Sequence, residues 1–181
     1  PKIIYARNVI PHVLEIHSVI KGIKNLLNED SFGFIEFHDA KLLKQKNHYD
    51  YIYHEHLFYF TINTISNLLA KYKLRVFDIF KSPISGGSWV VAFSIKNYTK
   101  SLVLKKEITK EKSFKLDKIV TWQKFAKNSI KHSKKILKIV NQYENVIAYG
   151  ASARGSTLLN FAKLNNQNIK IILDKNKLKN R

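Results

Sequence analysis

The chain has no cysteine and no methionine among its 181 residues, only three prolines and six glycines, and 13 acidic residues against 32 basic ones. Without cysteine there are no disulfides and no cysteine-ligated zinc in this stretch, and a cytoplasmic location is the expectation. No apolar run approaches the roughly 18 residues of a membrane-spanning helix and no signal-peptide pattern is present, so no membrane partner is expected. Methionine is missing even at position 1, Pro1 stands directly before an apolar run, and Arg181 closes the chain just after another. The sequence therefore reads as a piece of a longer enzyme. The shortage of acids leaves a formal charge of +19, which raises nucleic acid as a partner. Arginine is scarce too: Arg7, Arg75, Arg154 and Arg181 leave 28 lysines. Bidentate phosphate recognition favours arginine. The lysine excess, which comes with abundant Ile and Asn, reads as codon bias, and the dense run Lys124 to Lys138 as a solvated helix face. Nucleic acid is not the expected partner.

What is present suffices for a folded core: 45% of residues are hydrophobic and 12% aromatic, well outside disordered composition. Ile3 to Ala6 reads as a strand. Glu15 to Leu27 carries apolar residues at helical spacing (Ile16, Val19, Ile20, Ile23, Leu26, Leu27), and Phe34 to Phe37 is the next strand. Strand, helix and strand joined by short links predict a parallel crossover. Ile62 to Tyr72 is a helix with Thr61 or Asn63 as its cap. Arg75 to Phe80 and Ser88 to Ile95 are two strands broken by Pro83, Gly86 and Gly87, a hairpin-like pair. Tyr98 to Lys112 is polar and lysine-rich, an expected boundary or exposed connection. One long helix, or two with a break, follows from Leu116 to Tyr143. Val146 to Tyr149 is a strand, Thr157 to Lys163 a helix, and Ile169 to Leu173 a strand that ends at Asp174.

Three segments carry chemistry. Tyr53-His54-Glu55-His56 within Tyr53 to Phe60 puts two imidazoles, a carboxylate and a phenol against apolar neighbours, a setting in which proton affinities are tuned. In an extended segment His54 and His56 face one way, Tyr53 and Glu55 the other. A proton-transfer site, a hydrogen-bonded core cluster and a metal site completed by His48 or His38 are all open to it. The second segment, Ala148 to Thr157, follows a strand and opens a helix, with Asp174 some 20 residues on, as a dinucleotide loop does. Ser152 stands where that loop needs its middle glycine. The helix start still suits an anion, with Arg154, Ser156 and Thr157 as added donors. The third, Ser85-Gly86-Gly87-Ser88, is either a tight turn or a place of close backbone approach to a ligand.

Together these segments resemble the sugar C-methyltransferases, bacterial enzymes that methylate carbon 3 of thymidine-diphosphate-linked 4-keto deoxysugars. The resemblance runs in order through Ala6 to His12, Tyr53 to Phe60, Pro83 with Gly86-Gly87-Ser88, Tyr149 to Asn160, and Asp174-Lys175-Asn176. It implies an α/β chain: residues 1–100 the C-terminal part of a Rossmann-like methyltransferase domain with the catalytic segment, 101–145 a helical connection, and 146–181 the start of a truncated Rossmann-like domain. It implies S-adenosylmethionine as methyl donor, with the donor loop outside this chain. Zinc is implied only in a missing N-terminal domain, and no metal here. His56 is the implied base, Glu55 its orienting carboxylate and Tyr53 a donor to the enolate oxygen. Asn8, His12, His54, Gly86, Gly87, Ser88, Gly150, Arg154, Ser156, Thr157 and Asn160 are the implied contacts of the nucleotide-linked sugar. Ser85 and the Trp89-Val90 pair depart from the family pattern. The alternatives are a non-catalytic nucleotide- or sugar-nucleotide-binding module and a nicotinamide-dependent oxidoreductase.

Overall fold

A computed structural model describes residues 1–179, with the side chain of Ser85 also outside the described set. The fold is mixed α/β, and the chain divides into two compact units, residues 1–42 with 55–118 and residues 43–54 with 119–181.

The first unit is built on four strands, β1 (Ile3–Arg7), β2 (Phe32–His38), β3 (Arg75–Ser82) and β4 (Ser88–Ser94), in the order β1-β2-β4-β3. Helix α1 (Ile16–Leu26) links β1 to β2, and those two strands run parallel, as the strand–helix–strand reading requires. The β3–β4 pair is antiparallel, and β4 also pairs antiparallel with β2. Period-two alternation decides which faces meet. Ile35, Phe37, Val76, Ile79, Val91 and Phe93 point into one core, closed by Ile16, Ile20 and Ile23 of α1 and by Ile65 and Leu69 of α3 (Ile62–Ala70). A Cβ built on Gly33 would fall inside the Phe93 ring, so only glycine lets β2 and β4 meet there.

Two helices escape a reading based on hydrophobic period. One is α2 (Ala40–Lys46). The other is α4 (Leu102–Ser113), which occupies the stretch expected to be a boundary or exposed connection. Ser101 caps α4, its hydroxyl accepting from Leu104 N at 3.1 Å. Leu104 is its one fully buried apolar anchor. With a single buried leucine the helix shows almost no amphipathic stripe, which is why its lysines dominate the sequence pattern. Its Glu111, 5% exposed, accepts from the N–H groups of Ile62 and Asn63 at 2.7 and 3.0 Å. A carboxylate thus reinforces the Thr61 capping box at the start of α3.

The second unit contains α5 (Ile119–Val140), β5 (Ile147–Tyr149), α6 (Ala153–Phe161) and β6 (Ile171–Leu173). β5 and β6 pair in parallel across α6. Residues 43–54 belong to this unit, with Tyr49 and Tyr51 buried. Tyr49 meets His132 of α5, its hydroxyl 2.9 Å from Nδ1, and its ring lies 4.9 Å from that of Phe161 of α6. No helix among the described residues is long and apolar enough to cross a membrane.

Candidate functional site

In the first unit the candidate residues Asn8, His12, Glu55 and His56 lie past the carboxyl end of β1. Asn8 turns the chain in the left-handed region, φ 51°, which asparagine tolerates better than most residues. Its N–H donates to the Glu36 carbonyl at 3.3 Å. Ile10, fully buried, and Pro11 then anchor a short 3-10 turn that ends at His12. The Pro11 carbonyl accepts from the N–H groups of Leu57 and Phe58 at 2.9 and 3.2 Å, which stitches the 55–58 segment to this turn. His12 Nδ1 lies 2.8 Å from the Glu55 carbonyl. A carbonyl only accepts, so Nδ1 carries the proton, and in the neutral ring Nε2 is the acceptor. The His12 and His56 rings are 4.8 Å apart at 53°, and His56 meets Tyr59 edge-on at 6.2 Å. Residues 53–55 bend and turn, so the strict alternation expected of an extended Tyr-His-Glu-His run does not hold.

The Gly86–Gly87 segment, also in the first unit, is a tight turn. Gly86 and Gly87 have φ 79° and 130°. The Gly87 backbone is one that L side chains rarely adopt, which favours glycine there, and a Cβ would also push aside the tip of Leu42, whose Cδ1 would lie 2.6 Å away. The Ser88 hydroxyl is buried and donates to the Ile84 carbonyl at 3.1 Å. Trp89, 5% exposed, turns inward and donates from Nε1 to Asp39 at 2.9 Å.

In the second unit the Gly150 loop does follow a strand and open a helix. Gly150 has φ 97° and donates to the Leu173 carbonyl at 2.7 Å. The Ala151 N–H, the kind of donor a dinucleotide loop aims at phosphate, goes to Asp174 Oδ2 at 2.7 Å. Donation from Asn176 N, then from Ala151 N, holds the Asp174 carboxyl below the usual carboxylate range. Ser152 caps α6 through Gly155 N at 3.0 Å, and the Thr157 hydroxyl donates to the Ala153 carbonyl at 2.9 Å. Arg154 is committed as well: Nε lies 2.7 Å and Nη2 2.6 Å from Asp50 Oδ2, Nη1 is 3.0 Å from the Tyr51 hydroxyl, and its guanidinium covers the Tyr51 ring at 3.9 Å. Ser156 and Asn160 are exposed on α6, while Tyr53 and His54 pair ring edge to face at 6.2 Å in the same unit.

This order of elements and motifs has counterparts. Residues 83–181 match the C-methyltransferase C-terminal domain. The chain belongs to the C-methyltransferase family. It is 29% identical over 184 residues to the C-methyltransferase NovU of Streptomyces niveus, an alignment that covers 98% of this chain and 44% of that protein. The chain thus spans less than half the length of this curated relative.

The first unit also holds buried polar residues that pattern reading passes over. Glu36 of β2, 1% exposed, accepts on Oε2 from the Tyr5 hydroxyl at 2.9 Å and forms an ion pair there with Arg7 Nε at 3.1 Å. The hydrogen bond to Glu36 holds the Tyr5 phenol above its ordinary range. Asp39, Lys41 and Glu107 form a second buried polar set around Trp89. The available signal was slight: a single acid inside Phe34-Ile35-Glu36-Phe37, in register with Arg7 across the parallel pair. For the second set there was none, because its members come from three separate stretches.

Proposed function

We propose that the protein carrying this chain is an S-adenosylmethionine-dependent C-methyltransferase that acts on a nucleotide-linked keto-deoxysugar. The observation that supports it most is the tautomer-locked His12 beside His56, next to Asn8 at the carboxyl end of a parallel strand, where open α/β sheets bind ligands. Imidazoles and an amide suit a substrate with an acidic C–H beside a carbonyl, since they accept a proton and donate to oxygen.

The mechanism follows from that substrate. A 4-keto group acidifies the neighbouring C3–H. His56 takes this proton on a ring nitrogen, and the C–H electron pair moves into the enolate. Tyr53 is proposed, by its place in the Tyr-His-Glu-His run, to donate to the enolate oxygen, and Glu55 to orient an imidazole or a sugar hydroxyl. His12 Nε2 accepts from a sugar hydroxyl, and the Asn8 amide donates to a sugar oxygen. When bound, S-adenosylmethionine supplies an electrophilic methyl group on sulfur. The enolate carbon would take that methyl with the thioether as leaving group, and His56 then gives up its proton to solvent. His54, Gly86, Gly87, Ser88, Gly150, Ser156, Thr157 and Asn160 are further proposed contacts of the sugar nucleotide. Arg154 joins them only by giving up Asp50.

The test uses the full-length gene product, S-adenosylmethionine and a thymidine-diphosphate-linked 4-keto deoxysugar. Mass spectrometry is expected to show the sugar gaining one methyl group. In D2O without the methyl donor, deuterium is expected to wash in at carbon 3 through the His56 base. Neither product nor wash-in would sink this reading.

A further inference from the structure

The strongest anomaly of the first unit is Glu36. Its side chain is 1% exposed, yet its hydrogen bond from Tyr5 and its ion pair with Arg7 fall on one oxygen, Oε2, and no described residue donates to Oε1. A buried carboxylate with an unmade acceptor costs the fold far more than an apolar residue at the same place. Apolar residues do fill the neighbouring positions of that sheet face: Phe34 stands two residues earlier on β2, and Val90 is its cross-strand partner on β4. Such a group calls for an explanation in terms of what it holds.

What it holds is the end of β1. Its last residue, Arg7, has a side chain 52% exposed, and Asn8 beyond it sits in a left-handed turn. A strand end that runs into an exposed turn opens more readily than the middle of the strand. Glu36 ties it at three points: Tyr5 and Arg7 by its carboxylate, Asn8 N by its carbonyl. From Asn8 the chain runs directly into the turn that carries Pro11 and His12 to the backbone of Glu55, Leu57 and Phe58.

We propose that the Glu36 carboxylate is a positioning residue for the imidazole pair: it pins the carboxyl end of β1 through Tyr5 and Arg7 and so fixes the turn that locks the His12 tautomer beside His56. A carboxylate serves this better than an amide, because its hydrogen bond from the Tyr5 hydroxyl is charge-assisted, it forms an ion pair with Arg7, and its acceptor has no competing donor on the same group. The proposal rests on the methyl-transfer reading for its kinetic arm alone.

The test is Glu36→Gln in the full-length gene product, read in two ways. Nitrogen-15 histidine spectra report the tautomer without any need for activity. The wild type is expected to show His12 protonated at Nδ1, and Glu36→Gln a mixture of both tautomers. Kinetically, kcat of methyl transfer is expected to fall about tenfold, the ratio between a charge-assisted and a neutral hydrogen bond. KM is expected to stay within about twofold and the melting temperature near wild type, a split that loss of folded protein would not give. If Glu36→Gln does not fold, the Tyr5→Phe, Arg7→Met double variant removes the two clamped partners and is expected to release the same tautomer. His12 spectra that match wild type in whichever variant folds, or a wild type that lacks the Nδ1–H tautomer, overturn the proposal. A wild type without methyl transfer overturns the proposed function instead and leaves the spectra to decide this one.

Discussion

His12 allows its two ring nitrogens to be tested separately. The Nδ1 proton goes to the Glu55 carbonyl at 2.8 Å, and among the described residues none engages Nε2. Asparagine places an amide N–H near the position of Nδ1 and nothing at Nε2, and glutamine places an acceptor oxygen near Nε2 and loses the Nδ1 donor. His12→Asn is therefore expected to keep the 55–58 segment in place and leave a substrate hydroxyl without its acceptor. An unpaired polar group in a closed site costs about 1–3 kcal/mol, a loss of roughly 5- to 150-fold in kcat/KM. His12→Gln gives up one neutral hydrogen bond, about 0.5–1.5 kcal/mol. The two bonds from Leu57 and Phe58 to Pro11 still hold the segment. Its loss is expected to be roughly two- to tenfold. Steady-state methyl transfer by the full-length protein measures the ranking, and hydrogen exchange at Leu57 and Phe58 checks that His12→Asn keeps their protection. If His12→Gln is the more damaged enzyme, His12 is a strut for Glu55 and its Nε2 has no part in binding.

His56→Ala is expected to lower kcat by roughly 10²–10⁴-fold with substrate binding near wild type, measured by single-turnover methyl transfer; near-normal turnover would remove His56 from the base role. Glu111→Ala strips the buried Ile62 N–H and the part-buried Asn63 N–H of their acceptor and is expected to cost about 1–3 kcal/mol, read as faster amide exchange of Ile62 and Asn63. Burial, the largest cause, lowers the His48 pKa from its ordinary 6.5. The unfolded chain then binds the extra proton first, so stability is expected to fall as pH drops below about 6.5 and to be constant above it. Melts at several pH values, flattened by His48→Gln, measure this. Gly33→Ala drives a methyl into Phe93 and is expected to destabilise by about 1–3 kcal/mol or more, seen as a lower denaturation midpoint.

The sequence by itself determined the α/β class, the parallel β1–α1–β2 unit and the β3–β4 pair, because alternating and helical periods are local properties of the chain. Motif order pointed to the C-methyltransferase family, which the match over residues 83–181 bears out. The resemblance implied Asn8 and His12 as candidates, and the structure places both just past the end of β1. Tertiary structure decided the rest. Which nitrogen of His12 carries the proton depends on Glu55, 43 residues away. That Asp174 takes the Ala151 N–H, and that Arg154 is held by Asp50 and Tyr51, follow from pairings across 23 and more than 100 residues. The helix α4 was hidden because its buried residues, Leu104 and Glu111, are one leucine and one carboxylate, which make no hydrophobic period. Glu36 gave only a slight signal for a different reason: a carboxylate in a strand has meaning only through the side chains it meets, and sheet register brings Arg7 beside it.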